Sequence, residues 1–126
     1  MISQETLSFR TNGRGTTNIS SQINAVLSAS SIKTGIANIF VQHTSASLIL
    51  CENADPMVRR DLEAFMSRVT PDGDPLYQHI DEGPDDMSAH VRTVLTDSGL
   101  SIPFNSGQLL LGTWQGVFVG APHPAT

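Results

Sequence analysis

The sequence has little of several features that would quickly assign it to a class of protein. It has one cysteine, Cys51, so no disulfide can form within the chain, and a reducing compartment suits such a chain. Its 7 basic residues are scattered among 12 acidic ones, for a formal net charge of −5. Without a basic patch to neutralise phosphates, no nucleic-acid partner is expected.

Long hydrophobic runs and targeting segments are also absent. No apolar stretch approaches the roughly 20 residues that span a bilayer, and the first four residues lack the basic start and apolar centre of a signal peptide. There is no G-x-x-x-x-G-K-[ST] loop to cradle a nucleoside triphosphate. We therefore expect a cytoplasmic protein without a membrane partner. With 126 residues, 39% of them hydrophobic, the chain is expected to form a single domain over residues 1–126.

Helical spacing of apolar residues predicts three helices. Ile19, Ile23, Val26 and Leu27 predict the first over about residues 18–29, with Thr17 or Asn18 as its cap. Asp55 and Pro56 predict the start of a second, which ends at about Arg68. A third is expected to open at Asp85 or Asp86. Its predicted buried face comprises Met87, Val91, Val94 and Leu95.

Alternating and apolar runs predict the strands. Residues 6–10 are predicted as a first strand, followed by a turn at Asn12 and Gly13. Residues 36–41 and 48–50 are predicted as two strands that meet at a polar corner. Residues 100–104 and 108–112 are typical of a hairpin, residues 116–120 of a last strand, and Pro103 favours an edge position. The long polar segment from 70 to 84 predicts a functional or disordered loop.

The polar residues between 42 and 55 interrupt what would otherwise be ordinary buried strands. His43 lies at the predicted corner, Glu52 follows the second strand, and His79 and His90 lie on the long loop and the third helix. Imidazoles near carboxylates bind divalent metals or transfer protons, although each histidine taken alone is also consistent with a structural hydrogen bond. The spacing matches no H-E-x-x-H or paired C-x-x-C motif.

Other polar and aromatic residues leave alternatives open. Ser45 and Ser47 are not in a G-x-S-x-G elbow, so satisfying backbone groups is favoured over a nucleophilic role. For Trp114 and Gln115, burial in the hydrophobic core and a place in the wall of a binding pocket are equally compatible with the sequence. Cys51, next to the apolar residues 48–50, is interpreted as a structural residue.

Several motifs together resemble a known family. They are Gln42-His-Thr-Ser-Ala-Ser47, Glu52-Asn-x-Asp-Pro56, Asp85-Asp-Met followed by His90, and Gly112-Thr-Trp-Gln-Gly116. In order and over nearly the whole chain, they resemble the YjbQ-like family, also called the secondary thiamine-phosphate synthase family. The resemblance implies an α+β domain with a largely antiparallel sheet packed against helices, assembled as a homotrimer with polar sites near subunit boundaries. It also implies weak coupling of a hydroxymethylpyrimidine diphosphate with a thiazole phosphate.

The motif positions of that family fall on nine residues of this chain: His43, Glu52, Asn53, Asp55, His79, Asp86, His90, Trp114 and Gln115. The chain departs from the pattern after Gly116, because it lacks the acidic residue, histidine and basic tail with which members continue. We therefore expect a C-terminal end that is shorter than usual for the family.

Three functions are compatible with these residues. The first is a metal-assisted transferase of the thiamine-phosphate synthase type, the second a metal-dependent hydrolase of a small phosphorylated or ester substrate, and the third a non-catalytic module that binds a small ligand. We expect His43, His79 and His90 to hold a divalent metal, zinc or alternatively magnesium. The expected catalytic residues are His43, Glu52 and Asp86. The expected substrate-binding residues are Ser45, Asn53, Asp55, Trp114 and Gln115.

Overall fold

The computed structural model describes residues 1–11 and 13–121, within which the chain forms three helices and six strands. The strands are β1 (Gly15–Asn18), β2 (Thr34–Phe40), β3 (Ser47–Glu52), β4 (Gly99–Asn105), β5 (Gln108–Leu109) and β6 (Gln115–Ala121). The helices are α1, Ser20–Ala29, α2, Pro56–Val69, and α3, Asp86–Leu95. Every strand pairing is antiparallel, which confirms the predicted α+β class.

The six strands divide into two sheets. Sheet A has the order β1-β6-β3 and sheet B the order β2-β4-β5. The two strands that were predicted to meet at a polar corner therefore belong to different sheets, and residues 41–46 join them. Both sheets and α1 contribute to the hydrophobic core, which comprises Ile19, Ile23, Leu48, Ile102, Phe104, Leu109 and Val117. The polar segment thus lies where the chain passes from one sheet to the other.

The predicted cap of α2 is confirmed, whereas the N-cap of α1 is Ile19 and not the predicted Thr17 or Asn18. The Asp55 carboxylate accepts a hydrogen bond from the Met57 amide at 2.9 Å, and Pro56 is the first residue of α2. An Asn18 side-chain oxygen accepts from the Ser20 amide at 3.0 Å at the start of α1. Both bonds satisfy amides that have no partner within the first turn of a helix.

The hairpin of β4 and β5 is confirmed, although β5 is shorter than predicted. Ser106 and Gly107 form its turn with φ angles of 51° and 76°, the left-handed conformations that a two-residue type I′ turn requires. The edge position predicted for Pro103 is wrong, because β4 lies between β2 and β5. The Pro103 carbonyl accepts from the Leu110 amide at 2.9 Å. The Pro103 nitrogen faces the same side of β4 as this carbonyl, towards the end of the pairing with β5. The missing N–H therefore costs at most one hydrogen bond at the end of that strand pair.

The strand predicted over residues 6–10 is also wrong. These residues form no strand, and Phe9 makes the contact of this segment with the core. The first strand is β1, whose four exposed residues pair with β6 through the main chain. An alternating pattern without a neighbouring strand edge is not sufficient for a strand. Asn12, part of the predicted turn, lies outside the described residues.

The buried face of α3 differs from the prediction. Val94 and Leu95 are 82% and 55% exposed, and the buried residues of the helix are Asp86, Ser88 and Ala89. Burial of the two polar side chains is tolerated because both are hydrogen-bonded. The helix therefore turns a carboxylate inward at its first residue.

Two further expectations concern membrane-spanning helices and the C-terminal end of the chain. No helix in the described part of the chain is long and apolar enough to cross a membrane. The expected shortening of the C-terminal end concerns residues 122–126, which lie outside the described residues.

Candidate metal centre

Asp86 is the point on which two histidines converge. Its side chain is 5% exposed, and its Oδ2 lies 2.8 Å from His79 Nε2 and 3.0 Å from His90 Nε2. His90 is one turn further along α3, where the i,i+4 spacing places both side chains on one face. His79 comes from the loop between α2 and α3, and its ring meets that of His90 edge-on with centroids 5.4 Å apart. A helix start and a long loop therefore build this cluster together.

The other nitrogen of His90 fixes its tautomer. Nδ1 lies 3.0 Å from the backbone carbonyl oxygen of Thr44, and a carbonyl only accepts hydrogen bonds. Nδ1 therefore carries a hydrogen. The Nε2 atom that faces Asp86 then either holds a second proton, which makes the ring an imidazolium, or presents a lone pair. A lone pair directed at a carboxylate is unfavourable unless a cation lies between them.

The electrostatics of Asp86 follow from this arrangement. Burial opposes ionisation, but hydrogen bonds and positive charge from His79 and His90 outweigh burial and lower the pKa of Asp86. The carboxylate is therefore charged near neutral pH and needs positive charge beside it. Protons on the two imidazoles, or one metal ion, supply that charge.

The residues fit a metal ion. One ligand atom from each of His79, Asp86 and His90 lies within 4.8 Å of the others, a spacing that one ion can bridge. Two imidazole nitrogens and one carboxylate oxygen are a donor set that zinc takes in catalytic sites, where a further position stays open. The hydrogen bond from His90 Nδ1 to a backbone carbonyl is the orienting contact that metal-bound histidines commonly make.

His43 is placed differently from the other two histidines. Among the described residues, the candidate metal group comprises His79, Asp86 and His90 and does not include His43. The side chain of His43 is turned back on its own segment, where Nδ1 accepts from the Ser45 amide at 3.0 Å and lies 3.2 Å from the Ser45 hydroxyl. A neutral ring with Nδ1 accepting carries its hydrogen on Nε2, so in this pose Nε2 is a donor. His43 is exposed, and the next residue, Thr44, is the one that His90 contacts.

The remaining predicted site residues lie at the opposite end of β3. Glu52 ends that strand and pairs with Gln115 of β6. At about 3.3 Å per residue, the six residues from Ser47 to Glu52 span roughly 17 Å. Within one chain, Glu52 and its neighbours are therefore far from the histidine cluster.

The polar groups at that far end bind main-chain atoms. Glu52 accepts from the amides of Ala54 and Asp55 at 3.1 and 2.8 Å, and the Asn53 side chain donates to the Gln115 carbonyl at 3.1 Å. Gln115 itself accepts from the Gly112 amide at 2.8 Å. These contacts stabilise the turns around the end of sheet A.

Trp114 resolves one of the open alternatives. Its side chain is 63% exposed, so it does not plug the core. Its carbonyl accepts from the Asn53 amide at 2.8 Å, which holds the segment before β6 against the end of β3. An exposed aromatic side chain at this position is free to meet a ligand or another subunit.

A second group, which the sequence did not reveal, anchors the loop that carries His79. Asp72 receives two hydrogen bonds of 2.8 Å from Arg14, 58 residues earlier, and one from the Ser88 hydroxyl. The Arg14 hydrogen bonds outweigh burial and lower the pKa of Asp72. Asp72 lies in a turn cluster of proline, glycine and aspartate, which predicts a turn but not its partner. This anchor ties the loop to α3 close to Asp86.

Comparison with known proteins identifies relatives over almost the whole chain. The family described as UPF0047 protein YjbQ-like matches residues 5–122. The chain is 49% identical over 116 residues to UPF0047 protein sll1880 of Synechocystis sp., covering 92% of this chain and 79% of that protein. It is 38% identical over 118 residues to UPF0047 protein YjbQ of Escherichia coli O157:H7, covering 93% and 85%.

Solved structures agree with the fold. The conserved hypothetical protein TT1486 from Thermus thermophilus superposes with a TM-score of 0.83 at 33% identity, over 94% of this chain and 92% of that one. A YjbQ/UPF0047 family protein from Clostridium acetobutylicum gives a TM-score of 0.82 at 29% identity, over 92% and 90%. The overall fold is thus one that these relatives share.

Proposed function

The chain belongs to the UPF0047 (YjbQ-like) family, and we propose that it is a metal-dependent enzyme whose ion is held by His79, Asp86 and His90. The observation that carries the proposal is the tautomer of His90, whose Nδ1 hydrogen is committed to the Thr44 carbonyl while Nε2 faces Asp86. A divalent ion would satisfy the buried carboxylate and both imidazoles at once. The proposed ligand set replaces the expected His43 with Asp86.

The donor set favours zinc over magnesium. Imidazole nitrogens suit zinc, whereas magnesium prefers oxygen ligands and retains several waters. When bound, the ion would act as a Lewis acid that neutralises charge on a phosphate oxygen or lowers the pKa of a bound water. Three protein ligands leave a position open for that purpose.

His43 is proposed as the acid–base group of the site. It is exposed, and it directly precedes Thr44, whose carbonyl oxygen lies 3.0 Å from Nδ1 of the proposed ligand His90. The Ser45 amide and hydroxyl bind its Nδ1, so in this pose Nε2–H donates a hydrogen bond to a substrate oxygen, and proton transfer requires the ring to turn away from the Ser45 amide. Ser45 thus orients the imidazole, as well as being a candidate to contact the substrate.

The reaction that we propose joins a hydroxymethylpyrimidine diphosphate to a thiazole phosphate, with loss of diphosphate. The support for it is the family resemblance together with a site suited to negative charge on phosphate oxygens. The alternative is hydrolysis of a small phosphorylated or ester substrate, which the open ligand position and the neighbouring His43 also favour.

We further propose a homotrimer in which the groups at the two ends of β3 meet across subunit boundaries. Glu52, Asn53, Asp55, Trp114 and Gln115 would then contact a substrate bound at the metal group of a neighbouring subunit. The exposure of Trp114 and of apolar side chains on α2 supports an interface there.

Metal analysis of the purified protein tests the site. We expect about one zinc ion per chain after incubation with zinc and dialysis, and less than a tenth of that for His79→Ala, Asp86→Ala or His90→Ala. His43→Ala, the matched control, is expected to keep the metal and lose turnover. Wild-type protein without metal, or full metal content in all three ligand variants, would contradict the site.

Product analysis separates the two reactions. Incubation of the zinc-loaded protein with both phosphorylated substrates is expected to yield thiamine phosphate and diphosphate, whereas hydrolysis yields free phosphate or alcohol from one substrate alone. Substrate binding with turnover at background would identify a non-catalytic binding module instead.

A further inference from the structure

A cavity of about 160 Å³, partly open to solvent, lies between sheet A and the helices α2 and α3. The sheet lines it with two small residues, Ser47 and Gly120, which are paired in the register of β3 and β6. Opposite them, none of the residues of α2 is buried, although the helix carries an apolar stripe. Helix and sheet are therefore not packed together, and the space between them persists.

The wall of the cavity is mainly apolar. Its apolar side chains include Ile49, Cys51, Leu62, Met66 and Ala89. An apolar cavity of roughly 150 Å³ in another protein stays dry and accommodates benzene, so the space here is that of one six-membered ring.

Charge around the cavity is not balanced. Three guanidinium groups line it, and two of them are paired: Arg14 with Asp72, and Arg92 with Glu63 at 2.6 Å. Arg59 forms no ion pair among the described residues. Its guanidinium lies 4.6 Å from the centroid of the Phe118 ring and donates to a backbone carbonyl at 3.2 Å. One positive charge at the cavity is therefore left without a carboxylate.

Arg92 supplies a hydrogen-bond donor that has no acceptor. Its Nε is buried and, within the described part of the chain, is the buried side-chain polar atom left without a partner. The two terminal nitrogens of the same guanidinium are occupied by Glu63 and Ser67. Because an unsatisfied buried donor is unfavourable, an acceptor that gains access to this enclosed atom through a small shift of the lining side chains gains more than a hydrogen bond at the surface would.

We propose that this cavity binds a small carboxylate whose apolar body is about the size of one ring. The body occupies the space between Ile49 and Met66, Arg59 supplies the neutralising charge, and the Arg92 Nε–H donates to a carboxylate oxygen. None of the three proposed metal ligands lines the cavity, although Ser45, which binds His43, does. Binding there needs no metal, so it does not rest on the function proposed above.

Titration with benzoate, benzyl alcohol and inorganic phosphate tests the proposal. The readouts are the methyl resonances of Ile49 and Met66 and the Nε–H resonance of Arg92, recorded with and without a metal chelator. Benzoate is expected to give saturable shifts at all three, with a Kd on the order of millimolar, unchanged by the chelator. Benzyl alcohol, which lacks the charge, is expected to bind about tenfold more weakly, and phosphate not to shift the methyl groups.

Two pairs of variants locate the site. A Cβ at Gly120 would point to Ser47 Oγ at 3.4 Å and Ile49 Cδ1 at 3.6 Å, both on the cavity wall, so Gly120→Ala and Gly120→Val fill the space stepwise. We expect graded loss of benzoate binding, and none for Gly99→Ala, whose new methyl group meets ordinary contacts in sheet B. Arg59→Gln is expected to weaken benzoate about tenfold and leave benzyl alcohol unchanged, whereas Arg60→Gln on the exposed side changes neither.

Several results would overturn the proposal. They are the absence of saturable shifts at Ile49 and Met66, equal affinities for benzoate and benzyl alcohol, and unaltered benzoate binding in a Gly120→Val protein. Folding of each variant is checked by the dispersion of its amide spectrum, and Gly120→Ala replaces Gly120→Val if the larger side chain disturbs the sheet.

Discussion

The Nδ1 atom of His90 lies 3.0 Å from the backbone carbonyl oxygen of Thr44, 46 residues earlier in the chain. This contact joins α3 to the segment between the two sheets, and it directs the Nε2 lone pair of a neutral His90 towards Asp86. The same segment carries His43. One hydrogen bond therefore sets the tautomer of a proposed ligand and the position of the proposed acid–base group.

Asp86→Asn tests the role of the carboxylate charge. The amide keeps the shape of the side chain but removes the negative charge that the two imidazoles face, so we expect zinc affinity to fall by more than about 100-fold. Competition with a chromophoric chelator measures the affinity. Asp85→Asn is the matched control, because the neighbouring Asp85 side chain makes no capping hydrogen bond. An equal loss of zinc affinity in the two variants would show that the negative charge of this region, and not ligation by Asp86, holds the metal.

The anchor between Arg14 and Asp72 predicts a dependence of stability on pH. The pKa of Asp72 is lower in the folded protein than in the unfolded chain, so its contribution is complete above the ordinary aspartate pKa of about 3.9 and is lost as the pH falls through the lower, folded value. We expect Asp72→Asn to be less stable than wild type by about 1 kcal/mol or less at pH 7, because the pair is partly exposed. The difference is expected to narrow below about pH 4.

Urea unfolding at a series of pH values measures this difference. Asp74→Asn, in the same loop, is the control. A gap between wild type and Asp72→Asn that stays constant down to pH 2 would show that the charge of Asp72 does not contribute.

The parts of the fold that sequence could predict are those set by local chemistry. The start of α2 at Asp55 and Pro56, and the hairpin turn before Gln108, depend on neighbouring residues alone. β1 could not be predicted, because its Gly-Thr-Thr-Asn sequence has no apolar period and it forms by main-chain pairing with β6, about a hundred residues later. Residues 6–10 have the alternation of polar and apolar residues that is typical of a strand, but no strand edge lies beside them to pair with.

In the candidate site, too, local sequence predicts the proximity of some residues, whereas long-range contacts determine that of others. Asp86 and His90 are one turn apart on a helix, so their proximity follows from the sequence. His79 reaches them because the loop is anchored by Arg14 and Asp72, a long-range pair with no local pattern. The separation of Glu52 from this cluster follows from the direction of β3, which sequence alone does not relate to α3.

Glu52 is expected to affect stability and turnover but not metal content. Its carboxylate accepts from two backbone amides before α2, so Glu52→Ala is expected to cost about 1 kcal/mol in the free energy of unfolding. If Glu52 also contacts the substrate across a subunit boundary, the turnover of Glu52→Ala is expected to fall by more than its smaller fraction of folded protein accounts for. Glu82→Ala, on the exposed part of the loop, is the control. Loss of zinc from Glu52→Ala would place the two ends of β3 in one metal site, contrary to the geometry.

Cys51 is predicted to be structural. Burial raises the pKa of its thiol, so little reactive thiolate forms near neutral pH. We expect alkylation by iodoacetamide at pH 7.5 to be slower than for a cysteine in an unstructured peptide, and Cys51→Ala to retain zinc and most turnover. Loss of most turnover in a folded Cys51→Ala protein would give the thiol a part in the chemistry.

The last prediction concerns the surface of α2. Four of its apolar side chains are exposed by 43 to 55%, namely Met57, Leu62, Phe65 and Val69, and no residue of this helix is buried. An amphipathic helix that buries little of its own apolar stripe is stabilised by a partner, and two sheets with uncovered edges add to that requirement. We expect the wild-type protein to sediment as a homotrimer at micromolar concentration and Phe65→Asp to shift the population towards monomer. Arg60→Asp, which places the same charge on the polar face, is expected to leave the trimer intact. A wild-type monomer would remove the trimer and every contact proposed across its boundaries, whereas a trimer that tolerates Phe65→Asp would place the interface away from this stripe.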